Sequence, residues 1–285
     1  MIEIIPYAGG KSIQAKWISS FFPSNITDYM EVFGGAMWVY IKSVISPRKA
    51  IYNDFNPYMC NLFTCSKEYE RFLPYVEVFR PMDQKTFTEC QKYVVDFVKR
   101  KEKLEMPDFK LGACYVYIVT QCFSGLISGN IEKAKIAPRK YGDKVLDVMP
   151  FVNTLRRPEI QRKMDKLETS NLSYELAIEK YDGDNMFIYA DPPYYGTEKY
   201  YAYHDFGKKD HERLADILKS CKSKWILSYY TFPDLVKWFP EDKYRWERRE
   251  YRKMTAAKKG GTLNKGEEIL IFNYDKTENT NLFFE

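Results

Sequence analysis

The feature that most constrains the fold is an alternation of short apolar segments with helical patterns at both ends of the chain. Near the N-terminus, residues 28–33 and 49–52 have the character of strands, and residues 36–45 between them have a helical pattern. The same rhythm returns at residues 185–190 and 224–229, again with a helical pattern between them, and a long hairpin follows. Because strands that alternate with helices form parallel sheets covered by helices, the sequence predicts an α/β fold.

The stretch between these two parts has no clear strand pattern. Residues 84–103 and 111–123 are amphipathic in the manner of helices, and a segment broken by Gly and Pro follows them. We therefore expect a domain formed by residues 1–60 and 185–285, interrupted by a mostly helical insertion of residues 61–184.

Composition excludes several classes of protein. The chain of 285 residues carries a net charge of +5 and is 45% apolar, which is typical of a globular protein with a sizeable core. No apolar run reaches the roughly 18 residues of a membrane-spanning helix, and the N-terminus lacks a secretory signal pattern. The six cysteines form no CxxC pair and there are two histidines, so we expect neither a metal site nor a disulfide framework. These features favour a soluble cytoplasmic protein.

A glycine-rich segment near the N-terminus, Gly9-Gly10-Lys11-Ser12, has the residues that end a phosphate-binding P-loop. A P-loop needs a glycine five positions before the second of these glycines, and Ile5 stands there, so the spacing excludes a P-loop ATPase or kinase. A lysine after two glycines can still reach a carboxylate or phosphate as a point charge, which makes Lys11 a candidate binding residue.

A second motif, in residues 31–36, is a predicted strand that ends in Gly34 and Gly35 and is followed by a helical pattern. The dinucleotide fingerprint GxGxxG is absent. However, Asp54 lies 19 positions past Gly35, at the end of the next strand, where a carboxylate binds ribose hydroxyls in doubly wound folds. Most Gly-Gly turns are plain loops, but this one, combined with Asp54, favours an adenosine-containing cofactor.

A third motif is an apolar strand that runs into Asp191-Pro192-Pro193-Tyr194. Two prolines remove two backbone donors and restrict φ twice, which produces a stiff turn. Acceptors, namely the Asp191 carboxylate and a neighbouring carbonyl, then face outward beside the flat ring of Tyr194. This set suits an exocyclic amine on an aromatic ring, although an Asp-Pro turn that only ends a strand remains the structural alternative.

Four motifs occur in one order along the chain: Pro6-Tyr7-Ala8-Gly9-Gly10-Lys11, Glu31-Val32-Phe33-Gly34-Gly35, Asn53-Asp54-Phe55-Asn56-Pro57 and Asp191-Pro192-Pro193-Tyr194. Together they resemble the Dam-like (D12 class, alpha-type) adenine-N6 DNA methyltransferases. The resemblance covers about residues 5–60 and 185–275. It places the cofactor half first and the catalytic loop after a target-recognition insertion.

The resemblance implies a Rossmann-like, S-adenosylmethionine-dependent methyltransferase that acts on N6 of an adenine flipped out of double-stranded DNA, with no metal. The catalytic residues that it implies are Asp191, Pro192, Pro193 and Tyr194. The cofactor-binding residues that it implies are Tyr7, Lys11, Glu31, Phe33, Gly34, Gly35, Asp54 and Asp191. The expected location is the cytoplasm of a bacterial or phage-infected cell, and a cognate restriction enzyme is a candidate partner.

The chain departs from the family pattern at two places. Met37 stands where the first glycine motif often has its last glycine, and the insertion lacks a clean copy of the Arg-rich stretch with which Dam proteins read their site. Two alternatives stay open: a cytosine-N4 methyltransferase, although those enzymes more often have Ser at the position of Asp191, and an inactive DNA-binding relative. The DNA recognition sequence is not predicted.

Basic residues are concentrated in the C-terminal hairpin, where residues 245–265 carry eight Lys or Arg against two Glu. Such a hairpin can bind DNA phosphates, or it can simply be a solvated edge that discourages aggregation. The candidate DNA-binding residues are Lys258, Lys259 and Lys265 here and Arg139 and Lys140 in the insertion.

Overall fold

A seven-stranded sheet with helices on both faces organises the described part of the chain. The computed structural model describes residues 4–7, 9–79, 83–100, 104–122, 131–137, 140–141, 144–145, 147–196, 206–252 and 265–275. The strands are β1 (Asp28–Glu31), β2 (Lys49–Asn53), β3 (Lys140–Tyr141), β4 (Lys144–Val145), β5 (Leu167–Ser170), β6 (Met186–Ala190), β7 (Lys224–Tyr229), β8 (Arg245–Arg252) and β9 (Lys265–Phe272).

Eleven α-helices lie in the described residues. They are α1 (Ala15–Ser19), α2 (Trp38–Lys42), α3 (Pro57–Lys67), α4 (Tyr69–Glu77), α5 (Gln84–Arg100), α6 (Phe109–Gln121), α7 (Met149–Leu155), α8 (Pro158–Asp165), α9 (Tyr174–Tyr181), α10 (Lys208–Ser220) and α11 (Leu235–Trp238).

The sheet has the strand order β5-β2-β1-β6-β7-β9-β8. Strands β5, β2, β1, β6 and β7 are parallel, whereas β9 runs antiparallel to β7 and β8 runs antiparallel to β9. This arrangement confirms the predicted α/β fold. The antiparallel pair at the edge corresponds to the predicted C-terminal hairpin.

Both faces of the sheet are buried, which explains why its central strands are apolar at consecutive positions. All residues of β1 and β6 are buried. Tyr29 and Phe187 pack in one hydrophobic cluster, and their chain neighbours Met30 and Ile188 pack in the other, because successive side chains of a strand point to opposite faces.

The structure differs from the predicted elements at β5 and at α2. Strand β5 was not expected, since its sequence Leu-Glu-Thr-Ser is only partly apolar; it pairs in parallel with β2 at the edge of the sheet, where two of its residues are half-buried. Helix α2 begins at Trp38 rather than at residue 36, because Met37 takes a left-handed conformation with φ of 52°.

The helices of the predicted insertion pack against the sheet. In α6, residues 111–121 are all buried, and Ile118 belongs to the same hydrophobic cluster as Tyr52 of β2. Within residues 61–184, β5 and α9 join the sheet and one of its helical layers. The division into a catalytic domain (1–60 and 185–285) and a recognition insertion (61–184) stays a prediction.

No helix in the described ranges combines the length and the apolar character that crossing a bilayer requires.

Candidate active site at the carboxyl edge of the sheet

The carboxyl ends of the five parallel strands meet at one edge of the sheet, and the predicted site residues follow those ends. The glycine turn follows β1, Asp54 follows β2 and Asp191 follows β6. Ligands of doubly wound sheets bind at this edge. Strand β9 begins at the same edge because it is antiparallel to β7, and it brings Glu268 there.

The glycine turn lies between two tyrosine rings. A Cβ on Gly34 would lie 2.4 Å from Cε2 of Tyr52, and a Cβ on Gly35, whose φ is 47°, would lie 3.0 Å from Cε1 of Tyr7. The Tyr52 hydroxyl also donates a hydrogen bond of 2.9 Å to the Gly35 carbonyl. Packing within the chain itself therefore requires the two glycines. The predicted approach of a ligand to their backbone stays a prediction.

Asp54 links the second strand to this turn. Its carboxylate accepts hydrogen bonds from the backbone N–H groups of Gly35, at 2.7 Å, and Asn56, at 2.8 Å. Asn56 in turn caps α3, with Pro57 as the first helical residue, so the chain turns sharply just after Asp54. Burial raises the pKa of Asp54 to about 6, and the two N–H donors oppose that rise.

Strand β5 adds a residue that the sequence did not single out. The Asn171 side-chain amide donates to the carbonyls of Asp54, at 2.8 Å, and Phe55, at 3.0 Å. The Leu172 N–H donates to the Asn53 side chain at 3.1 Å. No motif marks Asn171, and its contact with the Asp54 turn follows only from the position of β5 beside β2.

Glu31 contacts groups of its own chain. Its Oε1 accepts hydrogen bonds from the Tyr29 hydroxyl, at 2.9 Å, and from the Tyr40 N–H in the first turn of α2, at 2.8 Å. Burial raises the pKa of Glu31 to about 8, and these two donors oppose that rise. Both contacts are structural, so the cofactor contact predicted for Glu31 stays a prediction.

Phe33 belongs to an aromatic group beside the turn. Its ring lies 5.7 Å from that of Tyr174 and 5.9 Å from that of Phe206, measured between centroids. The residues after β5 and before α10 thus surround the predicted cofactor residue Phe33 with rings, which sequence spacing did not indicate.

Asp191 forms an ion pair with the first predicted motif. Its Oδ1 lies 2.9 Å from Nζ of Lys11, although 180 residues separate them in the chain. The Asp191 side chain keeps 18% of its surface exposed, whereas Lys11 keeps 7%. Burial raises the pKa of Asp191, and the Lys11 charge opposes that rise. A carboxylate held by an ammonium beside an accessible surface can accept hydrogen bonds from a ligand amine.

Tyr194 completes the arrangement. Its ring lies under the Lys11 ammonium, 4.5 Å from Nζ to the ring centroid, and meets the Tyr230 ring edge-on at 4.2 Å. Its hydroxyl donates a hydrogen bond to Glu268. Pro192 and Pro193 are buried. The structure thus brings together Lys11, Asp191 and Tyr194, and it adds Glu268. The sequence signal of Glu268 is only that it directly precedes the apolar residues 269–272 of β9.

The candidate DNA-binding residues are largely outside the described part of the chain. Arg139, Lys258 and Lys259 lie there, and for Lys140 and Lys265, which begin β3 and β9, only the backbone is described.

Strand β8 carries an arginine opposite a residue of the site. Arg249 is the β8 residue opposite Glu268, and its guanidinium lies over the Trp17 ring at 5.6 Å. The described residues contain no group of three or more His, Cys, Asp or Glu that could hold a metal ion.

Comparisons with known proteins identify the family of the chain. A family model described as D12 class N6 adenine-specific DNA methyltransferase matches residues 7–255. The chain is 21% identical over 233 residues to the type II methyltransferase M.CviBI of Paramecium bursaria Chlorella virus NC1A, which covers 80% of this chain and 82% of that protein.

A second relative spans nearly the whole chain. It is the type II methyltransferase M1.LlaDCHI of Lactococcus lactis subsp. cremoris, 25% identical over 293 residues and covering 94% of each protein. Among solved structures, a precorrin 8W decarboxylase from Methanobacterium thermoautotrophicum matches 94% of this chain and 92% of its own, with 10% identity and a TM-score of 0.37.

Proposed function

The chain belongs to the D12 class of N6 adenine-specific DNA methyltransferases, and from that premise we propose which of its residues carry the reaction. The enzyme methylates N6 of adenine in DNA, which confirms the predicted activity and the Rossmann-like methyltransferase fold. Because the amine cannot reach a methyl donor from inside the base stack, the adenine is flipped out of the duplex. Family membership also implies S-adenosylmethionine as the donor in general.

We assign the cofactor to the carboxyl edge of the sheet, between Asp54 and Asp191. The acceptor set fits it, because each oxygen of the buried Asp54 carboxylate makes one backbone hydrogen bond and keeps further capacity for ribose hydroxyls. The other residues assigned to this pocket are Tyr7, Lys11, Glu31, Phe33, Gly34 and Gly35. When bound, S-adenosylmethionine supplies the electrophilic methyl group.

The contact between Lys11 and Asp191 is the observation that carries the catalytic assignment. The lone pair of the adenine N6 is delocalised into the ring, so it is a weak nucleophile. Two acceptors, the Asp191 carboxylate and the Pro192 carbonyl, would hold the amine protons and favour a pyramidal nitrogen. Pro193 keeps the turn stiff, and Tyr194 provides an aromatic wall for the flipped base. Catalysis then consists mainly of positioning and electrostatics.

DNA contacts are assigned to two basic regions. Lys258, Lys259 and Lys265 in the C-terminal hairpin would bind phosphates, and Arg139 and Lys140 in the insertion would take part in reading the target site. The concentration of basic residues in the hairpin supports the first assignment, because phosphate contacts are made mainly by Lys and Arg.

A cognate restriction enzyme in the cytoplasm of a bacterial or phage-infected cell is the proposed partner. The relatives from a chlorella virus and from Lactococcus are both named type II methyltransferases, which supports this proposal.

The test is a map of methylated bases in DNA from cells that express the chain. We expect N6-methyladenine at one sequence motif, and at least ~10²-fold less of it with Asp191→Ala, the range for loss of a preorganised polar group. Asp182→Asn is the matched control, because Asp182 accepts backbone N–H bonds just before β6, at the opposite edge of the sheet.

Each contrary result has a distinct meaning. N4-methylcytosine in place of N6-methyladenine would establish the cytosine alternative, and no methylation by the folded wild-type protein would establish the inactive relative. Wild-type methylation by Asp191→Ala would show that the catalytic loop is assigned wrongly.

A further inference from the structure

Glu268 is a buried carboxylate of the site, and none of the predicted motifs includes it. It precedes the apolar run of β9, and its neighbour Ile269 pairs with Tyr229 at the end of β7. The antiparallel direction of β9 therefore places Glu268 just beyond the carboxyl edge of the sheet. Only 1% of its surface is exposed. A carboxylate is costly to bury unless it is paired, so its partners indicate what it does there.

Those partners are the proposed catalytic groups. Oε1 of Glu268 accepts the hydrogen bond of the Tyr194 hydroxyl and lies 3.6 Å from Nζ of Lys11. The same Nζ lies 2.9 Å from Oδ1 of Asp191. One ammonium thus lies between two carboxylates, and it also covers the Tyr194 ring at 4.5 Å.

We propose that Glu268 is a positioning residue of the methyl transfer, which shares the Lys11 charge with Asp191 and fixes the Tyr194 ring through its hydroxyl. The proposal rests on the roles assigned above to Asp191 and Tyr194. Without the Glu268 carboxylate, the Lys11 ammonium would pair with Asp191 alone. Asp191 would then be a weaker hydrogen-bond acceptor for the adenine amine. The ring of Tyr194 would also lose the bond that orients its hydroxyl.

The Glu268 carboxylate also affects the electrostatics of Asp191. Two carboxylates near one ammonium repel each other, so each makes the charged form of the other less favourable. The pKa of Glu268 is raised first by burial and then by Asp191, against the pull of Lys11.

Within the described ranges, Tyr194, Tyr189 and Glu31 are further titratable groups that interact with Asp191 or Glu268. The Glu31 carboxyl group interacts with Asp191 from β1. Because the Lys11 ammonium faces Asp191 alone once Glu268 is replaced by a neutral residue, we expect that replacement to favour the charged form of Asp191.

Three variants separate charge from geometry. Glu268→Gln removes the charge and keeps an oxygen that can accept from Tyr194. Glu267→Gln removes the adjacent charge from the other face of β9, where Glu267 accepts from Thr231, and serves as the matched control. Tyr194→Phe keeps the ring and removes the hydroxyl. In the wild-type protein the hydrogen bond of that hydroxyl lowers the pKa of Asp191.

The experiment measures single-turnover methyl transfer from S-adenosylmethionine to unmethylated DNA against pH, with both substrates saturating. The acid limb of this profile reports protonation of Asp191, because the neutral acid is a poorer acceptor.

For Glu268→Gln we expect a plateau about tenfold lower or more, and an acid limb moved to lower pH by about 0.5 unit or more. For Tyr194→Phe the limb moves to higher pH, and for Glu267→Gln neither the plateau nor the limb changes. A role limited to packing would lower the plateau and leave the limb in place.

An unmoved limb or an unchanged plateau in folded Glu268→Gln would overturn the proposal, with folding checked by the urea midpoint. Asp191→Ala distinguishes this failure from failure of the site. If Asp191→Ala loses activity while Glu268→Gln behaves as wild type, the site stands and the role of Glu268 is wrong. If Asp191→Ala stays active, the site itself is wrong.

Discussion

Replacement of Asp54 by asparagine tests the proposed cofactor site most directly. The carboxylate accepts one hydrogen bond on each oxygen, from the Gly35 and Asn56 N–H groups, and its residue is 7% exposed. Asparagine keeps one acceptor oxygen and turns an NH₂ group toward the other N–H. One buried donor then loses its partner, which costs about 1–3 kcal/mol of folding stability.

The affinity for the cofactor should fall by more than this loss of folding stability explains. A hydrogen bond from a ribose hydroxyl to a charged acceptor contributes about 1.5–3 kcal/mol, and 1.4 kcal/mol corresponds to a factor of ten in affinity. We therefore expect the Kd for S-adenosylmethionine to rise about 10- to 100-fold in calorimetry at pH 8. Binding to DNA without cofactor should change little.

Asp182→Asn controls for the structural part of the effect. The Asp182 carboxylate accepts backbone N–H bonds from Lys222, at 3.1 Å, and Ser223, at 2.9 Å, at the far edge of the sheet. This variant should lose comparable stability in urea and keep wild-type affinity for the cofactor. Wild-type Kd in Asp54→Asn would refute the ribose assignment, and equal loss of affinity in both variants would show that stability alone is being measured.

Two further predictions concern folding. Gly34→Ala should lower stability by about 1–3 kcal/mol in urea, because its Cβ would lie 2.4 Å from the ring of the fully buried Tyr52, whereas Gly183→Ala, with no atom within 4 Å of its Cβ, should be close to neutral; equal midpoints would contradict the packing account of the turn. The pKa of Glu31 is about 8 when folded, above its unfolded value of about 4.5, so its stabilising contribution is present at low pH and is lost as pH rises through about 8, with a slope up to about 1.4 kcal/mol per unit. Urea unfolding between pH 5 and 9 checks this, and Glu31→Gln, which keeps an acceptor for Tyr29 and Tyr40, should have the flatter profile.

The local motifs of the site could be predicted because each depends on neighbours in the chain. The apolar run of β6 followed by Asp191-Pro192-Pro193-Tyr194 defines a strand and a stiff turn whatever surrounds it. The Gly35 N–H and the Asp54 carboxylate, 19 positions apart in the chain, form a hydrogen bond of 2.7 Å, because parallel strands joined by one helix end at the same edge of the sheet.

Strand β5 and the start of α2 could not be predicted in the same way. Leu167–Ser170 has too few apolar residues to read as a strand, and β2 stabilises it by pairing. Met37 is a residue type that rarely takes φ above zero, so its left-handed conformation depends on the buried surroundings that hold it.

What the sequence by itself determined was the order of elements, the glycine turn, the Asp191 loop and the resemblance to D12 methyltransferases. What only the tertiary structure decided was which charges meet: Lys11 with Asp191 across 180 residues, and Glu268 with the same Lys11. The physical reason is the direction of β9. A strand parallel to β7 would begin at the opposite edge, whereas the antiparallel pairing brings the first residues of β9 to the edge where the parallel strands end, and no periodicity within residues 265–272 encodes that direction.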